Sequence, residues 1–441
     1  MGEAAAFAKP VSILALTIGL ALLRPQLASL RIGIAGAASI GAFLALASGV
    51  VPLDLAWNTL RRLAVPLTTI VSLMTITLVA ARVGLLELLG EAIARWADGD
   101  GRRLFSLIFW SGTSVGALFT NDAAILLFTP MVLIMMDRVA LPEWGEAQRL
   151  PYYFAVLYVG NLVGAFVISN PINIVAASFF GIDFVEYSLW MLLPAVVSMG
   201  VSWWGLRLAF RRDLPRTCAR SERPLGLPLS ADRRLIQATA VILVLTLLGF
   251  LTERLTGLPT WIVAAAGALS LLALLVSRGQ SPLPVIARID WHVLVFVCGI
   301  IIVTVGLRNA GITEVFGDLI ARLGGESLPG MLLSTSLTAA VSSAFINNHS
   351  TVGLMIWVIQ DFSLPTLEQN LMVYAALIGG DLGPKMLPIG SLAALMWFRM
   401  LQLHGVSVSV LRYIALGIPI TLAAVLASVI VLILEWWLFA V

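Results

Sequence analysis

GLLELLGEAIAR at residues 84–95 and GITEVFGDLIAR at residues 311–322 are two versions of one segment, offset by 227 residues. Gly84, Glu87, Gly90, Ile93, Ala94 and Arg95 recur as Gly311, Glu314, Gly317, Ile320, Ala321 and Arg322. Without a gap, the same offset carries Asn121 of FTNDAAILLFTP onto Asn348 of FINNHSTVGLMI. Further on, at an offset of 217, SNPINIVAA (169–177) aligns with MLPIGSLAA (386–394), so that Pro171 matches Pro388. The chain is duplicated, and both copies interrupt apolar segments with polar residues. A membrane carrier built from two repeats leaves that signature.

Composition sets the surroundings. The chain is 60% hydrophobic and 12% charged, with a mean hydropathy of +0.99. Apolar runs at 32–53, 64–81, 235–252, 258–277 and 407–434 are each about long enough to cross a hydrocarbon core of ~30 Å as a helix. The first run, about 5–23, lacks a weighty basic start and a small-x-small cleavage site, so it reads as a retained helix. Two cysteines, Cys218 and Cys298, are too few for a disulfide framework or a multi-thiolate metal site. The net charge of +3 reports the orientation of Arg-rich loops and implies no nucleic-acid partner.

The loops divide by charge. Segment 211–234 carries seven Arg against three acids, whereas 181–186, 311–330 and 361–370 are acidic. With 211–234 in the cytoplasm, the basic loops fall inside and the acidic ones outside, Arg61-Arg62 excepted. This arrangement requires 104–139 and 327–360 each to enter and leave by one face, as re-entrant hairpins. The expected architecture is an all-α polytopic membrane protein with inverted repeats, about ten full spans, two re-entrant hairpins and two broken helices. Its parts are an N-terminal helix and loop (1–31), a first repeat (32–210), a cytoplasmic linker (211–234) and a second repeat (235–441), with both termini outside. Helices near 83–97 and 310–324 are amphipathic, with Leu85, Leu88, Leu89 and Ala92 on one face, and lie along the interface.

Backbone at membrane depth must be hydrogen-bonded, so a non-helical break survives only where it is buried or lines a cavity. Four breaks are legible: the tips Thr120-Asn121-Asp122 and Asn347-Asn348-His349, the ISNPIN segment (168–173), and GGDLGPKMLPIGS (379–391). One such break reads equally well as a kink whose polar side chains replace lost backbone bonds. Four, in register across a duplication, read as one site. The candidate binding residues are Thr120, Asn121, Asp122, Ser169, Asn170, Asn173, Asn347, Asn348, His349 and Ser391. Asp122, Asp381, Lys385 and His349 are the candidates for proton coupling, because an intramembrane ionisable group is costly unless paired or hydrated. Lys385 is one of two lysines, and four residues from Asp381 it reads as a countercharge on the same helical face. Asp122 has no basic neighbour in sequence, which suits a proton carrier. His349, its match across the repeat, titrates near neutrality when unperturbed, and serves equally well as a hydrogen-bonding tip residue.

The chain has no GxxxxGK[ST] loop, no HExxH, no Cys/His cluster and no GxSxG, so no nucleotide hydrolysis, metal centre, cofactor or catalytic residue is expected. His292 and His404 lie near span ends, and Trp203-Trp204 and Trp436-Trp437 suit interfacial anchoring.

At the breaks the chain resembles the ArsB arsenite/antimonite efflux family of the ion transporter superfamily. The matching segments are FTNDAAILLFTPMV (119–132), ISNPINIVAASFFGIDFVEY (168–187), GLRNAGITE (306–314), FINNHS (345–350) and LIGGDLGPKMLPIGSLAALMW (377–397). The last is the most specific, and the resemblance spans nearly the whole length. It implies a carrier of the cell inner membrane that exports trivalent arsenic or antimony against the proton gradient, with a separate ATPase subunit as a partner in some systems. One departure is His349-Ser350, where the family tends to have Met-Pro; a titratable ring stands in place of an apolar side chain. Arsenite near neutral pH is largely uncharged As(OH)₃, so amide and hydroxyl partners suit it better than countercharges. The alternative on the same fold is a Na⁺/H⁺ antiporter of the NhaD type, in which Asp122, Asp381 and unwound carbonyls would hold Na⁺. A dicarboxylate carrier fits less well because no Arg sits at the breaks, and a membrane-embedded enzyme or receptor lacks any supporting motif.

Overall fold

The computed structural model describes residues 2–23, 26–27, 30–160, 162–220 and 232–439. The middle of the linker, 221–231, lies outside the described residues. The N-terminal helix α1 (Gly2–Leu23) precedes the first copy, which runs α2 (Ile34–Ala47), α3 (Leu53–Arg82), α4 (Leu85–Ala97), α5 (Gly101–Leu118), α6 (Asn121–Val139), α7 (Glu146–Val159), α8 (Pro171–Phe180) and α9 (Phe184–Ala209). The second runs α10 (Arg233–Leu251), the short α11 (Glu253–Thr256), α12 (Thr260–Ser277), the short α13 (Leu283–Ile286), α14 (Trp291–Asn309), α15 (Ile312–Gly324), α16 (Leu328–Ile346), α17 (Asn348–Asp361), α18 (Thr366–Leu382), α19 (Leu392–Leu403) and α20 (Val410–Phe439). Among the described residues, extended pairing is limited to Gln26–Leu27 against Leu30–Arg31 and an isolated bridge between Asp100 and Thr217.

The recurrent glycines at the start of the repeated segment have a backbone reason. Gly84 (φ 90°) and Gly311 (φ 76°) are left-handed N-caps that turn the chain sharply out of α3 and α14 into α4 and α15. A side chain there would clash with the neighbouring carbonyl.

Among the described residues, seven helices are long and apolar enough to cross a membrane: Leu53–Arg82, Phe184–Ala209, Arg233–Leu251, Thr260–Ser277, Leu283–Asn309 (α13 with α14), Leu328–Ile346 and Val410–Phe439. Segments 8–23, 34–47 and 171–180 are apolar but shorter.

Packing is exchanged between the copies. Helix α2 packs on α14 and α12 on α3; α6 packs on α19 and α17 on α8. Within each copy α4 covers α5 and α6, as α15 covers α16 and α17, while α9 and α20 pack on one another. Helix α16 approaches the break after α18 closely, because a Cβ on Gly379 or Gly383 would meet the α16 backbone at Ser336 and Ala340.

Helix α4 turns its amphipathic stripe away from the protein, with Leu85, Leu89 and Ala92 only half-buried. Its buried face is Leu86, Gly90, Ile93, Ala94 and Ala97, whereas Leu88 is 37% exposed and Trp96 53%. In an apolar solvent there is no driving force to hide leucine, so small residues pack inward and large apolar ones turn outward.

Candidate substrate and coupling site

Two helices are interrupted where proline and glycine remove or weaken the backbone ladder. Helix α7 stops at Val159, the chain makes one 3-10 turn at Val167–Ser169, and α8 starts with Pro171 in its first turn, where a missing N–H costs nothing. Asn170 caps α8, its side-chain oxygen accepting from the Ile172 N–H at 3.3 Å. Helix α18 stops at Leu382 and is followed by 3-10 turns at Gly383–Lys385 and Pro388–Gly390, before Ser391 caps α19 by accepting from the Ala394 N–H at 3.0 Å. Cap against cap, Asn170 corresponds to Ser391, and the turn Val167–Ser169 corresponds to Pro388–Gly390. The structural offset is therefore four residues larger than the alignment of Pro171 with Pro388. Identical Pro and Ala-Ala pairs placed the sequences about one helical turn out of step.

The two breaks meet at one carboxylate. Asp381, 1% exposed, accepts from Asn170 Nδ2 at 2.7 Å, from Asn173 Nδ2 at 2.9 Å and from the Gly164 N–H at 3.3 Å. All three donors are neutral and come from the first copy; the acceptor comes from the second. Asn173 Nδ2 also donates to the Tyr187 hydroxyl at 3.0 Å. A buried carboxylate satisfied by three such donors can be held without a counter-ion.

That arrangement corrects the expected ion pair. Lys385 is also 1% exposed, but its Nζ makes no hydrogen bond and lies 5.0 Å from the centroid of the Tyr158 ring. The α-helix ends at Leu382, so the i, i+4 relation to Asp381 is lost in the 3-10 turn that carries Lys385.

The hairpin tips behave differently. Asn121 is buried, and its Nδ2 donates across to the Leu162 carbonyl in the first break at 3.1 Å. Thr120 is buried beside it; Asp122 belongs to the first turn of α6, and its side chain lies outside the described residues. At the other tip Asn347 has φ 66° and its Oδ1 accepts from the Ser350 N–H at 3.0 Å. Half-buried Asn348 turns Oδ1 to its neighbour, accepting from the His349 N–H at 3.0 Å and lying 2.8 Å from His349 Nδ1. The His349 ring meets Phe296 edge-on at 5.6 Å, and its Nε2 has no hydrogen-bond partner. Ser169 Oγ donates to the Phe166 carbonyl at 2.7 Å, closing its own turn.

Hydrogen bonds thus join the first tip to the first break, and the first break to Asp381 of the second. The second tip is joined by packing, since α17 lies against α8 and α18. Sequence reasoning did not single out Gly164 and Tyr187, which complete the Asp381 cluster, or Thr351, and it marked Ser350 only as a departure from the family; the buried hydroxyls of Ser350 and Thr351 lack partners beside His349. Their one sequence signal is adjacency to the breaks. Among the described residues no group of three or more His, Cys, Asp or Glu could hold a metal ion. A cavity of about 670 Å³ lies away from these residues, between α2, α3 and α14, lined by Leu46, Trp57, Leu60 and Ile302 among others.

The family described as "ArsB: Arsenical pump membrane protein" matches residues 9–438. An arsenical pump membrane protein of Escherichia coli is 32% identical over 418 residues, 93% of this chain and 95% of the relative. One of Yersinia enterocolitica is 33% identical over 422 residues, with the same coverage of 93% and 95%. Among solved structures, the YdaH transporter of Alcanivorax borkumensis superposes with a TM-score of 0.58 over 99% of this chain and 98% of that one; at 15% identity the likeness is one of fold.

Proposed function

The chain belongs to the arsenical pump membrane protein family and is a multi-pass membrane protein, and on that premise we propose that it exports trivalent arsenite and antimonite across the cell inner membrane in exchange for protons. The observation that carries the reading is the crossing of the two breaks at Asp381, where neutral amide donors of one copy surround a titratable group of the other. Asn121, Asn170, Asn173, Asn348 and Ser391 offer the amide and hydroxyl groups that suit an uncharged trihydroxide, with Thr120, Ser169, Asn347 and His349 beside them. Protons are carried by Asp381. With no ion pair to Lys385, its carboxylate is not committed to a fixed countercharge, and Asp122 is the second carrier at the first tip.

In this reading the α5–α6 and α16–α17 pairs are re-entrant hairpins that enter from opposite faces. The exchanged packing of the copies supports inverted repeats, because each hairpin arm meets the broken helix of the other copy. The linker is cytoplasmic and both termini are outside. Family membership over the whole chain favours an arsenical substrate over Na⁺/H⁺ exchange.

Everted membrane vesicles test the proposal. Energised vesicles should accumulate arsenite, and a protonophore should collapse the accumulation. Proton movement that depends on Na⁺ and ignores arsenite would overturn it.

A further inference from the structure

A file of polar side chains leads from Asp381 toward the α8–α9 turn through helices that are otherwise apolar. On α18, Asn370, Tyr374 and Asp381 fall within about 40° of one another around the axis and span about 16 Å along it. All three are buried. At the far end stands Glu186 of α9, whose side chain is 25% exposed. Its Oε1 accepts from Asn370 Nδ2 at 2.7 Å and from the Tyr374 hydroxyl at 3.4 Å, and its Oε2 lies 3.6 Å from Arg254 Nη2. Tyr374 meets Tyr187 edge-on at 5.8 Å between ring centroids, and Tyr187 shares Asn173 with Asp381. The side-chain oxygens of Asn370 and Asn173 have no partner. Those free acceptors, one at each end of the file, are groups that bridging water would satisfy.

We infer that Glu186 is the proton-entry carboxylate for Asp381, and that Tyr374, Tyr187 and intervening water are the route between them. This rests on the proposed proton-coupled export, in which the α8–α9 turn faces outside, the side from which protons flow in. The step balances without any redox partner. Glu186 takes a proton from the outer medium and gives it to the file, each hydroxyl or water passes on one proton as it receives another, and Asp381 ends with one more. Around Glu186 the charged groups are Arg254, Asp183, which holds Arg254 Nε at 2.8 Å, and Glu253, which accepts from the Phe184 N–H and Thr260. Bonding to Asp183 and the nearby carboxylates push the Arg254 guanidinium further up, so its charge is constant. Around Asp381 the other titratable groups are Tyr187 and Lys385. Helix α20, packed on both α9 and α18, brings Glu435, whose Oε2 has no partner.

The test uses everted vesicles carrying the full chain, in which the outer face lines the lumen. The parent should accumulate arsenite faster as the lumen is acidified. Glu186→Gln should lower proton-driven accumulation by about tenfold or more and flatten that pH profile, while arsenite counterflow at equal pH stays within about twofold. Tyr374→Phe should act in the same direction, Glu186→Asp should restore the profile, and Glu435→Gln should leave it unchanged. Parental accumulation by Glu186→Gln overturns the inference, as does equal loss of accumulation and counterflow, which marks a structural role. A changed profile in Glu435→Gln with none in Glu186→Gln moves the entry point to α20 and also overturns it. A parent that shows no protonophore-sensitive arsenite accumulation removes the export reading first, and this inference falls with it.

Discussion

The α5–α6 and α16–α17 pairs each open on a side-chain N-cap, Asp100 and Ser327, yet one pair is fastened at both ends and the other is not. In the first copy, Asn121 ties the tip to the Leu162 carbonyl. At its base the linker is stitched along α4, α5 and α6 by three backbone bonds: the Gly101 N–H to the Arg216 carbonyl, the Cys218 N–H to Gly99, and the Ala219 N–H to Val139, at 3.1, 2.9 and 2.8 Å. In the second copy, Asn347, Asn348 and His349 bond mainly to their own segment, and His349 Nε2, Ser350 Oγ and Thr351 Oγ1 have no partner. The breaks differ in the same sense, with neutral donors in the first copy and Asp381 and Lys385 in the second. A duplication supplies two equal scaffolds. With the first break neutral, Asp381, Lys385 and the unpartnered groups beside His349 fall to the second copy, which suits the part that would move in the proposed export.

The largest effect should come from the charge itself. Asp381→Asn should lower gradient-driven arsenite accumulation by roughly 100-fold or more, since it places an amide among three donors that expect a carboxylate. Lys385→Met should be milder because no ion pair is broken. Equal injury from both would restore the paired-charge view and blur the contrast between the copies.

The strap comes next. Cys218 is 7% exposed, and burial, followed by the nearby Asp100, pushes its thiol up to about 11. A raised thiol is protonated at neutral pH and gains thiolate only as pH rises toward that value. In a Cys298→Ser background, maleimide labelling at pH 7 should be on the order of 100-fold slower than for a free thiol, rising about tenfold per pH unit. Fast labelling at neutral pH would mean that the strap opens.

The tips should differ by less. Asn121→Ala should cost about 1–3 kcal/mol by orphaning the Leu162 carbonyl, and reduce transport roughly tenfold; Asn348→Ala should spare stability and affect transport alone. Equal thermal destabilisation of the two purified variants would break the asymmetry.

The smallest effect should show where the copies agree. Gly84→Ala and Gly311→Ala, both at positive φ, should each cost about 1–2 kcal/mol, to equal extent in thermal unfolding. Unequal losses would show that the scaffold itself has diverged.

Much of this molecule is legible in the chain because its constraints are local. Lipid-length apolar runs, glycines that must turn and prolines that cannot donate an N–H leave marks in sequence, and Asn121, Asn170, Asn348 and Ser391 stand at helix starts for that reason. The stripe on α4 was legible as a face, and the packing turns it outward, since apolar periodicity marks a face without saying whether it meets protein or lipid. The register of the second breaks slipped because identity in a gapped alignment does not sense a cap.

The sequence alone determined that the chain repeats a segment 227 residues on, that it is apolar and helical, where its helices break, and which family it joins. Each follows from residue type and spacing along one strand of covalent bonds. Only the tertiary structure decided which groups share a hydrogen bond. Asp381 finds Asn170 and Asn173 more than 200 residues away, and passes over Lys385 four residues on. Partnership in a buried site depends on where helix ends point in space, and a 3-10 turn of three residues is enough to send a neighbouring charge elsewhere.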